Sequence, residues 1–488
     1  MKPAYFVLCM ALVVTLLVGC EPWGSAGTTP TAPLVSGAGF DTPTAGLSST
    51  ETPPPLPSET PAPNPTVTGM PSGTAVPAPS PTSIPTLLSA PPTLVATPST
   101  DLLRQMDSIE AEVERLRGLD ETSPITRSLM TRQELEAYTQ RQFEEDYPPE
   151  EVEADVQVLA AFDFIPQDFD LRGALVDLYS SQVVGFYDDD KKTLFVVTDV
   201  AGQGFDLLAR MTFAHEYTHG LQDEHFGLDT FVDEHQVNDD ALLARLSLVE
   251  GDASLSMAEY LYDHLAELTA KDINLLQSAG NEASQQALAA APAILRETLN
   301  FPYIYGLDFV STLHEQSWEA VDTAYADPPQ STEQILHPEK YLSRDEPQIV
   351  TVPPLTATLG AGWHLVEAET LGEFQTGLYL AQQVDQETAD QASAGWDGDQ
   401  YAVYVDDNDT LLVFSTAWDS AQDRQEFVNA YIQYAVGKYD QPPSHQGQSE
   451  ILWEGTDQAA YLSWKGAFAL LILGPDLATV EQVREAIR

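Results

Sequence analysis

Residues 205 to 225 read FDLLARMTFAHEYTHGLQDEH. Leu207, Leu208, Met211, Phe213, Ala214, Tyr217, Thr218 and Leu221 recur at spacings that predict a mostly buried helix. Within it, His215-Glu216-Tyr217-Thr218-His219 forms an H-E-x-x-H pattern. Positions four apart on a helix lie about one turn from each other, so both imidazoles project from one face, close enough to share a metal ion. Zinc suits this arrangement because it takes nitrogen and oxygen ligands tetrahedrally and, with three protein ligands, keeps a position for water. Glu216 then lies beside that water, where it takes a proton during attack on a carbonyl and hands it to the leaving amine. The pattern carries weight, since nine histidines among 488 residues would produce it by chance about one time in a hundred.

Before this helix, VVGFY and TLFVV, between Val183 and Val197, are joined by Asp188-Asp189-Asp190-Lys191-Lys192 and predict a hairpin. After it, Leu242, Leu243, Leu246, Val249, Ala253, Met257 and Tyr260 predict a second helix over about 239–268. A third metal donor has two candidates. His225 follows His219 by six residues, the spacing of the metzincin pattern H-E-x-x-H-x-x-G-x-x-H, but Gln222 stands where that pattern needs glycine. Glu250, in Leu248-Val249-Glu250-Gly251-Asp252-Ala253, reaches the metal if the two helices pack together.

With these elements in hand, the chain over about 180 to 265 resembles gluzincin-type zinc metallopeptidases, the clan of the thermolysin-like enzymes. It is also similar to bacterial secreted proteins with HEYTHGLQDEHF and LVEGDAS strings. The resemblance implies a zincin-like fold with His215, His219 and Glu250 as zinc ligands and Glu216 as general base. It further implies an edge strand above the helix that pairs with extended substrate, a role for which the 193 to 197 run is placed. One departure stands out: the acidic residue usual four positions after the third ligand is Ser254 here, which leaves Asp252 or Ser254 to bond a ligand histidine.

A group that polarises the carbonyl is expected downstream. The irregular polar stretch 328–341 offers His337 and Tyr341 as catalytic candidates, with Tyr303 and Tyr305 of the same kind. Beyond Pro353 the texture changes to strands at 400–405, 410–415, 458–464 and 468–473, interleaved with helices at 421–436 and 479–487. The fold class expected is α+β: a zincin-like catalytic domain over 101–350, mainly helical with a small hairpin sheet, and a C-terminal α+β domain over 351–488.

At the other end, Lys2 and an apolar run from Ala4 to Val18 precede Leu17-Val18-Gly19-Cys20, which looks like a bacterial lipoprotein signal peptide and lipobox over 1–20. Cys20 would carry the lipid. Cys9 lies within the removed leader, so no disulfide framework exists. Residues 21 to 100 hold 19 of the 35 prolines and four charges, and predict a disordered stalk. Such a tether spans roughly 50 Å as a coil and roughly 250 Å as polyproline II. All but four of the 75 acidic residues follow it, in a chain of formal net charge −54. That balance excludes nucleic acid as a partner and repels an anionic bilayer.

The functional expectation is a membrane-anchored extracytoplasmic zinc metallopeptidase, with Zn2+ as cofactor and a peptide or protein as substrate. The alternative from another class is a non-enzymatic acidic surface module with a structural or vestigial zinc site. Glu216 argues against it, because a structural site needs no base.

Overall fold

The computed structural model describes residues 99–182, 185–197, 205–233, 235–270, 272–273, 282–456 and 458–487. The leader, Cys20 and all but the last two residues of the expected stalk lie outside the described residues. In chain order the main elements of the first part are α1 (Thr100–Arg117), β1 (Thr126–Met130), α2 (Arg132–Asp146), α3 (Pro149–Ala161), α4 (Leu171–Gln182), β2 (Gly185–Asp188), β3 (Thr193–Val197), α5 (Leu207–Phe226), α6 (Asp239–Asp263), α7 (Ala293–His314) and α8 (Trp318–Ala326). No helix among the described residues is long and apolar enough to cross a membrane.

Local chemistry sets the limits of the two central helices. Asp206 caps α5 by accepting from Ala209 N, and Gly227, at φ 68°, ends it in the left-handed conformation. Asn238 caps α6 by accepting from Ala241 N, with Asp239 and Asp240 in its first turn, where acidic groups oppose the helix dipole favourably. From Met211 to Asp223 every residue of α5 is buried, so this helix is a core element with no solvent face along that stretch.

The small sheet has the order β1-β3-β2, with β3 parallel to β1 and antiparallel to β2. The expected hairpin is present at β2 and β3. The 193–197 run, however, is the central strand and not an edge, because β1 adds on its far side. The edge beside α5 is β2, which packs on that helix.

Three consecutive residues of α6 meet three different neighbours. Successive helical positions are turned by about 100°, and Glu250, Gly251 and Asp252 accordingly face apart. Glu250 approaches the histidines of α5. At Gly251 a Cβ would lie 2.1 Å from the carbonyl oxygen of Gly306 on α7, and at Gly306 one would lie 2.2 Å from Ser247 O, so α6 and α7 cross backbone to backbone. Asp252 accepts from Arg117 Nε at 2.6 Å and Nη2 at 3.0 Å, the guanidinium at the end of α1 being fully buried.

The second part contains β4 (His364–Glu369), α9 (Gly372–Ala381), β5 (Trp396–Val405), β6 (Thr410–Trp418), α10 (Ala421–Tyr439), β7 (His445–Gln446), β8 (Glu450–Glu454), β9 (Ala459–Lys465), β10 (Phe468–Gly474) and α11 (Leu477–Ile487). Its seven strands form an antiparallel sheet in the order β4-β5-β6-β10-β9-β8-β7. Alternate residues point to opposite faces. Val403, Leu412 and Phe414 pack with Phe427 and Tyr431 of α10, whereas Ala402, Leu411 and Val413 pack with Val480 and Val483 of α11. Val158 of α3 and Phe162, which follows its last residue, join the α10 side, so the two parts share core. They are also tied through Asp240 at the start of α6. It accepts from Thr332 N and Oγ1, and that hydroxyl accepts in turn from Phe374 N of α9. Gly372 closes this contact: its φ is +80°, and a Cβ there would stand 1.8 Å from Asp240 Oδ1.

Candidate metal centre

His215 and His219 lie on α5 one turn apart, with ring centroids 4.7 Å from each other and planes at 88°. Both Nε2 atoms turn to one point, 3.1 Å apart. Glu250 Oε2, from α6, completes a triangle at 3.2 Å from His215 Nε2 and 3.5 Å from His219 Nε2. All three residues are buried, and together they form a His/His/Glu group able to hold a metal ion.

Burial alone would disfavour every charge here. Yet Glu250 is held down at about 2, because the charges and hydrogen bonds of His219 and His215 outweigh its desolvation. Burial likewise opposes a proton on His219, but Glu250 and Glu216 push that imidazole up to about 9. His215 goes the other way, lowered by burial and by the neighbouring His219 despite its bond to Glu250. Glu250 thus carries its charge within reach of both imidazoles, the setting a divalent cation satisfies.

Glu216, the residue after His215, meets the small sheet. Its Oε2 accepts from Tyr187 N of the edge strand at 3.1 Å, and its Oε1 is buried with no hydrogen-bond partner among the described residues. Burial raises its pKa well above the usual carboxylate range. Tyr187 is anchored to α5 a second time, seven residues on, where its hydroxyl donates to Asp223 Oδ2 at 2.8 Å. Lys192 Nζ donates to the same oxygen at 2.6 Å. The hairpin is thus fastened over the helix on the side of the candidate base.

The other expected residues fall as follows. His225 Nε2 lies 2.9 Å from the carbonyl of Asp120, so of the two candidates for third donor it is Glu250 that meets the histidines. His337 Nε2 lies 2.9 Å from Glu373 Oε1, which raises the pKa of that ring, and Tyr341 Oη donates to Asp327 O at 2.8 Å. The Tyr303 ring lies 6.3 Å from that of His215, in stacked orientation. Neither Asp252 nor Ser254 bonds a histidine of the cluster: Asp252 is taken by Arg117 and by Tyr325 Oη, and Ser254 Oγ has no partner among the described residues. The partner of His219 is Gln222, which entered the sequence reading only as the residue standing where the metzincin pattern needs glycine. Its Oε1 lies 2.8 Å from His219 Nδ1. The only signal available in sequence was its position three residues after His219, on the same helical face.

A cavity of about 680 Å3, lined in part by Asn238, Asp240, Trp396, Asp399 and Gln400, opens beside the first turn of α6. Ten residues of helix separate Asp240 from Glu250, roughly 15 Å, so this cavity is distinct from the histidine cluster.

Residues 363–484, from β4 into α11, match a family described as a domain of unknown function (DUF8575). The match covers the seven-stranded sheet and leaves α5 and α6 outside. No curated protein and no solved structure matches the chain.

Proposed function

We propose that this protein is a zinc-dependent peptidase in which His215, His219 and Glu250 hold the ion and Glu216 is the general base and acid. The observation that carries the reading is the triangle of donor atoms with edges of 3.1, 3.2 and 3.5 Å. An ion with tetrahedral bonds of about 2.0–2.1 Å keeps its ligands roughly 3.3–3.4 Å apart, close to each of those edges. Two imidazoles and one carboxylate also match catalytic zinc sites, which use three protein ligands, better than structural sites, which use four.

Zn2+ held there supplies Lewis acidity, polarising a carbonyl and lowering the pKa of water. Glu216 does the proton work. Tyr187 N–H fixes one carboxylate oxygen, so Oε1 is the atom that takes a proton from water and delivers it to the departing amine. A peptide or protein is the substrate class this reading adopts. A lipid on Cys20 and the Pro-rich tether would keep the domain outside the cell and clear of the bilayer.

The test is metal content by elemental analysis, followed by casein or peptide-library hydrolysis with and without a chelator. Glu216→Gln should keep stoichiometric zinc while turnover falls by about a hundredfold or more. Parent-like turnover in that variant would refute the mechanism, and stoichiometric zinc without any hydrolysis in the parent would favour a structural site.

A further inference from the structure

Gln222 decides which nitrogen of His219 is offered to the ion. Its side chain is fully buried between α5 and α6. Nε2 donates to the backbone carbonyl of Val249 at 3.0 Å, and Oε1 faces His219 Nδ1 at 2.8 Å. A carbonyl oxygen only accepts, so the amide must turn its NH2 toward Val249. Its oxygen is then left to His219, and an oxygen only accepts, so the proton of the neutral imidazole must sit on Nδ1. The lone pair is thereby on Nε2, the atom that faces Glu250 and His215.

We infer that Gln222 is a positioning residue: the carbonyl of Val249, next to the donor Glu250, sets the amide, the amide sets the imidazole tautomer, and the tautomer presents Nε2 to the metal. This rests on the zinc reading above. The same side chain links the helix of two donors to the backbone beside the third, so it also holds the spacing between them. A hydrogen-bond acceptor on the remote nitrogen of a ligand histidine typically accounts for 10- to 100-fold in metal affinity. No other side chain is recorded on His219 Nδ1 among the described residues.

Two variants separate this role from simple packing. Gln222→Met keeps the volume and loses both bonds. Gln222→Glu keeps an acceptor for Nδ1–H but sets a second oxygen against Val249 O. Zinc affinity of the full chain, measured by competition with a chromophoric chelator, should fall about 10- to 100-fold in the Met variant and stay within about fivefold of the parent in the Glu variant. The melting temperature of the metal-free protein should rank the other way, with Glu lowest. In long-range proton–nitrogen NMR spectra of the zinc-loaded parent, His219 should carry its proton on Nδ1.

A Met variant that binds zinc as tightly as the parent would overturn the proposal. So would a Glu variant as weak as the Met one, or a proton found on Nε2. If Gln222→Met does not fold, the Glu variant and the NMR spectrum decide alone. A parent that takes up no zinc would sink the zinc reading itself, a result distinct from a zinc-binding parent whose affinity is indifferent to residue 222.

Discussion

Replacing Arg117 by methionine tests whether α6 is held in place from the side opposite the His215/His219 cluster. The guanidinium is fully buried, donates twice to Asp252, donates once to Asp322 at 2.7 Å, and lies 4.4 Å from the centre of the Trp318 ring. Asp322 is more than a third exposed, so its share is discounted for solvent screening. Asp252 is fully buried and, among the described residues, keeps only the Tyr325 hydroxyl, at 2.9 Å, once the cation is gone. Removing one partner of such a pair costs about 3–5 kcal/mol, because a carboxylate is stranded without its counter-charge. Pairing the change with Asp252→Leu removes the stranded charge, and buried pairs replaced by apolar groups of similar size are often neutral. The double variant should therefore be more stable than Arg117→Met, with a coupling energy of about 2 kcal/mol or more. Urea unfolding followed by tryptophan fluorescence gives all four corners of the cycle. A single-variant loss below about 1 kcal/mol, or strict additivity of the two changes, would refute the claim that this pair seats the helix carrying Glu250.

Gly306→Ala places a methyl about 2 Å from the carbonyl of Ser247, so α6 and α7 must separate. The variant should lose more than about 3 kcal/mol or fail to fold, and a melting temperature within a few degrees of the parent would show that the crossing is loose. Burial pushes Asp240 up to about 7 against the bonds from Thr332, and Asp399 adds repulsion. A carboxyl whose folded pKa exceeds its unfolded value of about 4 adds stability that is complete below pH 4 and is lost as the pH rises to about 7, by at most about 4 kcal/mol. Asp240→Asn should accordingly flatten the fall in stability between pH 5 and pH 7 by about 1.4 kcal/mol per pH unit, and an unchanged slope in chemical denaturation would contradict this. Zinc at a thousandfold excess over its dissociation constant should stabilise the chain by about 4 kcal/mol, a gain that EDTA reverses. Glu250→Gln should abolish most of that zinc-dependent shift in melting temperature, and an undiminished shift would place the ion elsewhere.

Much of the helical framework was legible because burial and chemistry imposed periodic patterns. The positions of α5, α6, α10 and α11 follow from apolar spacing, and the hairpin from two β-rich runs around a charged turn. β1 escaped notice because only Leu129 of its five residues is buried and its partner lies more than sixty residues away. That unseen strand is also why 193–197 read as an edge. α9 escaped because Gly372, Thr376 and Gly377 weaken its helical signal, although every residue from Gly372 to Leu380 is buried.

The candidate site divides along the same line. Two imidazoles four residues apart on one helix are a local fact, readable without tertiary structure. Glu250 was readable as a candidate, but its distance from them depends on how α6 packs. Gln222 was readable only as a neighbour of His219 on one helical face, because its role comes from the carbonyl of Val249, which reaches it only through that packing.

The backbone crossing at Gly251 and Gly306 also bears on biosynthesis. By the time residue 250 has been translated, all three side chains of the His/His/Glu group exist, yet the glycine against which the helix of Glu250 packs belongs to a segment more than fifty positions later. A chain that stops short of α7 therefore holds all three side chains but lacks the surface against which the helix of Glu250 packs.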